Sequence, residues 1–479
     1  MHVLDILGII LMFAAVLYIG WRATKQTKTT EDFLMANHSL GKIQAGFSMA
    51  ATDIGGNAVV GAVAYAYVCG LGGAWYNWGA VVPMFLLAIF LAKRLRNTAV
   101  SSVPELLGVR YNSATRLIAV ITHILAIGAT LGIQFTVAAS AVSTISGLDY
   151  TLCLVVTVAV VVVYTIGGGL LAVVNTDVLQ FIIICIAVIL IIPCSLSAVG
   201  GMDALVELVP ADYFNIFSQG FWAPLSLGLL YMFDYATNQH ILQRVFAAKD
   251  SSTARFAFAF SSGVYVVFGL AVAFIGVLAF ALFPDLENPN NAYAMIVQRI
   301  LPPGIAGIAL GGLFAAAMST ADSKIMAASQ LFINDIYEPY FCKGKETDDK
   351  KVLRISRIVT LLICVLGIGV SLVSDSIVQM MYVGGLFYGT AVFIPMVMTL
   401  CWKRGTTAAA LSSIIISICV GLYSEYFLSG QVSGLLGMPS NLLATIVSLV
   451  VFVCVSLLTP PPSEKQLEVV RNSQRDQSP

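Results

Sequence analysis

Thirteen apolar stretches follow one another along this 479-residue chain. About twenty apolar residues suffice for one helical crossing of a bilayer. The stretches fall at about 3–21, 44–67, 72–95, 114–147, 150–170, 172–199, 216–242, 255–284, 303–332, 353–374, 376–403, 406–428 and 441–459. A backbone inside lipid must satisfy its own hydrogen bonds, so repeated long runs of this kind predict an all-α membrane protein. The 114–147 stretch is too long for one straight crossing and is expected to tilt or to begin with an interfacial turn. Composition agrees, because 58% hydrophobic and 10% charged residues cannot cover a soluble surface of this size. The first run is long enough to span and lacks a basic start, which argues against a cleaved leader. Nine cysteines lie singly with no C-x-x-C pair, and the four histidines are unclustered. That pattern suggests neither a zinc site nor a disulfide framework. No metal cluster or serine–base pair marks the chain as an enzyme, and nothing points to a nucleic-acid partner.

The basic residues orient the crossings. An odd number of spans puts the termini on opposite sides. With the N-terminus outside, 23 of the 25 Lys and Arg residues fall in inside loops or the tail. Arg299 lies outside and Lys324 lies within a span. The outside loops carry Asp149, Asp203, Glu207, Asp212, Asp285, Glu287 and Asp375 instead. The reading is one transmembrane domain over 1–460, followed by a short, polar and disordered cytoplasmic tail over 461–479.

Ionised side chains at bilayer depth cost roughly 2.5–3.5 kcal/mol each and usually face a cavity. Five interrupt the spans: Asp53, Asp177, Asp234, Asp322 and Lys324. In "SMAATDIGGNAVVG" (Ser48–Gly61), Asp53 precedes Gly55, Gly56 and Asn57. Paired glycines are poor for a continuous helix and suit a local unwinding whose free carbonyls can hold a cation. The plainer alternative is close helix packing. In "LGLLYMFDYATNQHILQRVF" (Leu227–Phe246), a polar run begins at Asp234. A helix end reaching the cytoplasm accounts for His240 and Arg244, whereas Asp234 lies deeper and reads as a cavity residue. In "FAAAMSTADSK" (Phe314–Lys324), Ala316, Ser319, Thr320 and Ser323 share one helical face. Their hydroxyls are either hard-cation ligands or partners of the carbonyls one turn back. Lys324 either snorkels toward the interface or serves as a built-in cation reaching Asp177 or Asp322.

Three stretches together resemble the sodium:solute symporter family over about residues 1–460. They are "AAAMSTADSKIMAASQLFINDIY" (Ala315–Tyr337), "YTIGGGLLAVVNTDVLQ" (Tyr164–Gln180) and "NQHILQRVFAAKDSSTAR" (Asn238–Arg255). The resemblance implies a LeuT-type fold of thirteen helices, a 5+5 inverted repeat over about 44–199 and 216–403. It implies a sodium ion held by the carbonyls of Ala51, Ile54 and Ala316 with the hydroxyls of Ser319 and Thr320. A second sodium or proton site is implied at Asp177 and Ser323, with Asp322 and Lys324 beside it. Substrate-binding candidates are Asp53, Asn57, Gln134, Asp234, Tyr235 and Asn238. The tryptophan cage of the family's choline transporters is missing, with Asp53 and Asn238 in its place. The expected function is sodium-coupled import of a small polar organic solute by a monomer in a bacterial inner membrane. Two acids favour an amino acid or other amine-bearing solute. A monocarboxylate would need a nearby cation, and none but sodium is evident. Alternatives are a proton-coupled symporter of the same fold, a monocarboxylate or choline-like symporter, and, more distantly, a transporter-like sensor.

Overall fold

The computed structural model describes residues 2–98, 100–146, 148–342, 349–373, 384–427, 440–464 and 466–468. The start of the expected 376–403 span and most of the 461–479 tail lie outside these residues. Among the described residues every regular element is helical, and nine helices are long and apolar enough to cross a membrane. Shorter apolar helices, Tyr150–Val163 and Leu386–Cys401, fall in two further expected spans.

Among the described residues, interruptions account for part of the difference between nine long helices and thirteen apolar stretches. The 44–67 stretch is divided into Lys42–Asp53, a π-helical turn Asn57–Gly61 and Ala62–Cys69. The 216–242 stretch holds Trp222–Thr237 and Gln239–Ala247, parted at Asn238 (φ −74, ψ 120). The 150–170 and 172–199 stretches form one run, Tyr150–Val199, which leaves helical geometry at Gly169 (φ 60, ψ −153). Only glycine fits there: a Cβ would lie 2.4 Å from the Phe33 carbonyl oxygen, in a conformation that other residues rarely adopt. The 114–147 stretch is one continuous helix, Ser113–Ser146. At 1.5 Å per residue it is about 51 Å long, well beyond the roughly 30 Å hydrocarbon thickness.

The Ile305–Phe332 helix is the axis of the molecule. It is buried from Ala309 to Leu331 and packs most extensively on Tyr150–Val199, with Ser113–Ser146 and the N-terminal helix Val3–Thr24 also against it. Small residues permit that crowding. A Cβ on Gly312 would lie 2.5 Å from the Ala187 Cβ, and one on Gly307 would lie 2.5 Å from the Asp5 Cα. The start of this axial segment is tied down by Asp5, whose Oδ1 accepts the amides of Gly304 (2.7 Å) and Gly307 (2.9 Å). With a helix buried on all sides, any polar residue it carries faces protein, and it must find a partner or line a cavity.

Candidate functional site

Both helix breaks meet the axial helix at one place. Lys42–Asp53 ends as Ile54 leaves helical geometry (φ −74, ψ 65). The amide of Gly55 then turns back to the Asp53 carbonyl at 2.8 Å. Both glycines are required by close approach: a Cβ on Gly55 would fall 2.6 Å from Thr320 Oγ1, and one on Gly56 would fall 2.8 Å from Val137. Across this contact the Ser319 hydroxyl donates to the Ala51 carbonyl at 2.8 Å, and the Thr320 hydroxyl donates to the Thr52 carbonyl at 2.7 Å. Both hydroxyls also reach the Ala316 carbonyl, at 3.1 and 3.2 Å. The hydroxyls thus bond one turn back, as one of the two sequence readings has it, and also across to the broken helix. Ala51, Ala316, Ser319 and Thr320 form one buried oxygen cluster, and Ile54 lies fully buried at the break beside it.

A cavity of about 130 Å³ opens next to this cluster. All six residues expected to bind solute line it: Asp53, Asn57, Gln134, Asp234, Tyr235 and Asn238. The Gln134 Oε1 accepts the Gly56 amide at 3.0 Å, which holds its side chain against the unwound segment. Asp234 lies one turn before the Asn238 break. Its carboxylate accepts the Asn238 amide at 2.8 Å, and Asn238 Oδ1 in turn meets His240 Nδ1 at 2.6 Å and His123 Nε2 at 3.1 Å. The hydroxyls of Tyr235 and Tyr265 turn toward the Asp53 carboxylate, whose Oδ2 is buried with no hydrogen bond among the described residues.

Sequence reasoning missed three features of this wall. Tyr76, Tyr231, Tyr265 and Tyr388 join Tyr235 around the cavity, giving it a strongly aromatic lining. The His123 ring stacks on Tyr388 with centroids 3.4 Å apart. Lys324 also lines the cavity, only 7% exposed, with Nζ 3.5 Å from the Thr130 carbonyl. It does not snorkel, and a nearby cation is present after all. The apolar stretches gave no signal for the tyrosines, because an aromatic residue in a membrane helix fits lipid-facing and cavity-facing positions equally well.

The expected second ion site is arranged differently from the reading above. Asp177 and Ser323 do come together, but the cation between them is Arg244, not Lys324. The Arg244 Nη2 lies 3.1 Å from Asp177 Oδ2 and also donates to Ser323 Oγ. Its Nε donates to Ser48 Oγ at 3.0 Å and its Nη1 to the His240 carbonyl at 2.8 Å. Ser48 donates to the same carboxylate oxygen, and Thr52 and Ser323 meet at 2.9 Å. Asp322 is buried next to the group, 3.4 Å from the Ser323 hydroxyl. Arg244 is fully buried and every other residue of Gln239–Ala247 is buried, so this segment is not a helix end dissolving into solvent.

Comparison with known proteins places this geometry. Residues 33–417 match the Sodium:solute symporter family. The osmoregulated proline transporter OpuE of Bacillus subtilis is 24% identical, with 96% of each chain aligned. The high-affinity proline transporter PutP of the same organism is 26% identical over 94% of this chain and 97% of that one. Human sodium/myo-inositol cotransporter 2 is 26% identical over 87% of this chain and 69% of that one. Among solved structures, a Na+-coupled sialic acid symporter in a substrate-bound outward-open state superposes with a TM-score of 0.85. It is 20% identical, with 96% of this chain and 99% of that chain covered. Mhp1, a nucleobase-cation-symport-1 family transporter, superposes at 0.62 with 13% identity, over 92% and 98% of the two chains. These structures share the LeuT-type fold. With the family matched over most of its length, this chain is a multi-pass membrane protein that belongs to the sodium:solute symporter family.

Proposed function

We propose that the protein imports a small zwitterionic solute of the amino-acid type together with sodium. The observation that carries this reading is one cavity lined by two carboxylates, Asp53 and Asp234, and one ammonium, Lys324. Charged groups this deep are costly unless they have work to do. Asp53 and Asp234 suit an amine, which the tyrosine faces also favour through cation–π attraction. Lys324 suits a carboxylate. A neutral polyol would offer no opposite charge to any of the three. A cavity of about 130 Å³ suits a small solute. The likeness to two proline transporters supports the same class.

Sodium takes the oxygen cluster of Ala51, Ile54, Ala316, Ser319 and Thr320. An ion there draws the broken helix and the axial helix together, and both supply cavity residues: Thr52 and Asp53 on one side, Thr320 and Lys324 on the other. Ion and solute thus organise the same two segments, which is the physical basis for coupling. One sodium entering at 100 mV supplies about 2.3 kcal/mol. A tenfold gradient adds about 1.4 kcal/mol. The sum supports accumulation of several hundredfold. The chain works as a monomer with thirteen crossings and an inverted 5+5 repeat, in a bacterial inner membrane, N-terminus outside.

The test is uptake of a labelled amino acid panel into proteoliposomes. An inward sodium gradient should drive uptake of a member of that panel, and a potassium gradient should not. Ser319→Ala with Thr320→Ala should raise the sodium concentration for half-maximal uptake far more than it lowers the rate at saturating sodium. Unaltered sodium dependence in the double variant contradicts the ion site. Orientation is read separately, in a cysteine-free background. An impermeant maleimide added to cells should label a cysteine at Glu287 and should reach one at Lys249 only after permeabilisation. The reverse pattern overturns the topology.

A further inference from the structure

A second, unrelated groove lies on the outer wall of the bundle, where four helices meet. Its volume is about 540 Å³. Three cations line it: Lys42 at the start of Lys42–Asp53, Lys93 in Ala92–Asn97, and Arg255 in the first turns of Ser251–Leu282. Ser251 and Ser252 stand with them. The remaining lining is apolar, and much of it is exposed: Phe85 at 53%, Ile89 at 43% and Phe256 at 37%.

The order along the helices matters more than the list. On Ser251–Leu282 the serines come first, then Arg255, then Phe256 and Ala259. On the other wall Phe85 and Ile89 precede Lys93. The polar ends of both walls therefore sit at one level, and the apolar parts run from it in one direction. Phe85, Ile89 and Phe256 lie on helices that meet the criteria for membrane spans, so their exposed faces meet lipid. The cations then sit where such spans leave the hydrocarbon, at headgroup depth. The nearest acid on the same element is Asp250, which caps Ser251–Leu282 by accepting the Thr253 amide at 2.7 Å and faces Lys42 and Lys249.

We propose that this groove binds an anionic phospholipid. Lys42, Lys93, Arg255 and the serine hydroxyls hold its phosphate, and Phe85, Ile89 and Phe256 lie along an acyl chain. Basic pockets between membrane helices recognise anionic headgroups in this way. Charge complementarity and the continuity of the apolar wall with the lipid-facing surface select a lipid over a soluble anion. In the orientation inferred above, all three cations lie on the inner side. The groove is separate from the solute cavity and shares no residue with it.

The experiment is native mass spectrometry of the purified full chain in detergent, titrated with phosphatidylglycerol, phosphatidylcholine, glycerol phosphate or inorganic phosphate. Wild type should retain phosphatidylglycerol in preference to phosphatidylcholine. Each cation near the surface is worth about 1 kcal/mol, or about fivefold in affinity. The triple variant Lys42→Gln, Lys93→Gln, Arg255→Gln should therefore lose most of that preference. A matched triple variant elsewhere, Lys350→Gln, Lys351→Gln, Arg354→Gln, removes the same charge and should keep it. Equal loss in both variants, or no loss in the groove variant, overturns the proposal. So does equal retention of the soluble phosphates, which would make the groove a free-anion site. If the groove variant does not fold, Phe256→Ser leaves the charges in place and should weaken retention of long-chain phosphatidylglycerol but not of a short-chain analogue. Equal retention of both chain lengths in that variant also overturns it.

Discussion

Thr320 and Lys324 are four residues apart, and Ser319 and Ser323 are likewise four apart. On a helix each pair forms a stripe, and neighbouring stripes are separated by about 100°. Thr320 and Lys324 face the solute cavity, whereas Ser323 faces Arg244 and Asp177. One residue of separation in sequence thus assigns Lys324 and Ser323 to different sites. This yields opposed expectations for two substitutions. Lys324→Gln should weaken binding of an amino acid by about 1.5–3 kcal/mol, the range for a charged hydrogen bond, and leave the corresponding decarboxylated amine unaffected. Asp234→Asn should weaken both. Isothermal titration of the two ligands against the two variants gives the pattern, and equal losses for both ligands in Lys324→Gln would remove the lysine from carboxylate recognition. The stripe rule was available in the sequence, and applying it to "STADSK" would have parted Lys324 from Ser323. The identity of the cation beside Asp177 was not available. Arg244 lies 67 positions away, on a short helix whose burial follows from packing and not from its own mixed composition.

At the scale of elements, Arg244 acts as a fastener. Its guanidinium joins Gln239–Ala247 to Ser48 of Lys42–Asp53, Asp177 of Tyr150–Val199 and Ser323 of Ile305–Phe332. Four segments are gathered at one buried charge pair. Removing one partner leaves an uncompensated charge, which costs about 3–5 kcal/mol. Arg244→Gln should therefore destabilise the protein strongly. Arg244→Gln with Asp177→Asn should recover a substantial part of that loss, because both charges are gone. Thermal unfolding in detergent compares the two, and a double variant no more stable than the single would mean that the pair is not the cause. The breaks themselves were legible to different degrees. Gly55 and Gly56 announced the first, since paired glycines weaken a helix. The second, at Asn238, carries no glycine or proline, and its polar run looked like a helix end. It is a break because Asn238 is held by Asp234, His123 and His240. No local propensity encodes those contacts.

For the whole molecule, the apolar stretches were sufficient to identify a multi-pass helical membrane protein, and three motifs were sufficient to reach its family. The site was legible to the extent that polarity in lipid is costly: Asp53, Asn57, Gln134, Asp234, Tyr235 and Asn238 all came to one cavity. Tyr76, Tyr231, Tyr265 and Tyr388 were not legible, because nothing in an apolar run distinguishes a ring facing lipid from one facing a solute. The central claim is that one cavity reads both ends of a zwitterion beside a sodium ion. A thermal-shift titration of the purified protein tests it most directly. The ligands are an amino acid panel, the matched decarboxylated amines and the matched deaminated acids, each in sodium and in potassium. A bound ligand at a hundred times its Kd adds about 2.7 kcal/mol of stability. The account predicts a clear shift for at least one amino acid in sodium, a much smaller one in potassium, and smaller shifts for its amine and acid counterparts. A full shift from the amine or the acid alone, or a shift indifferent to sodium, would contradict it.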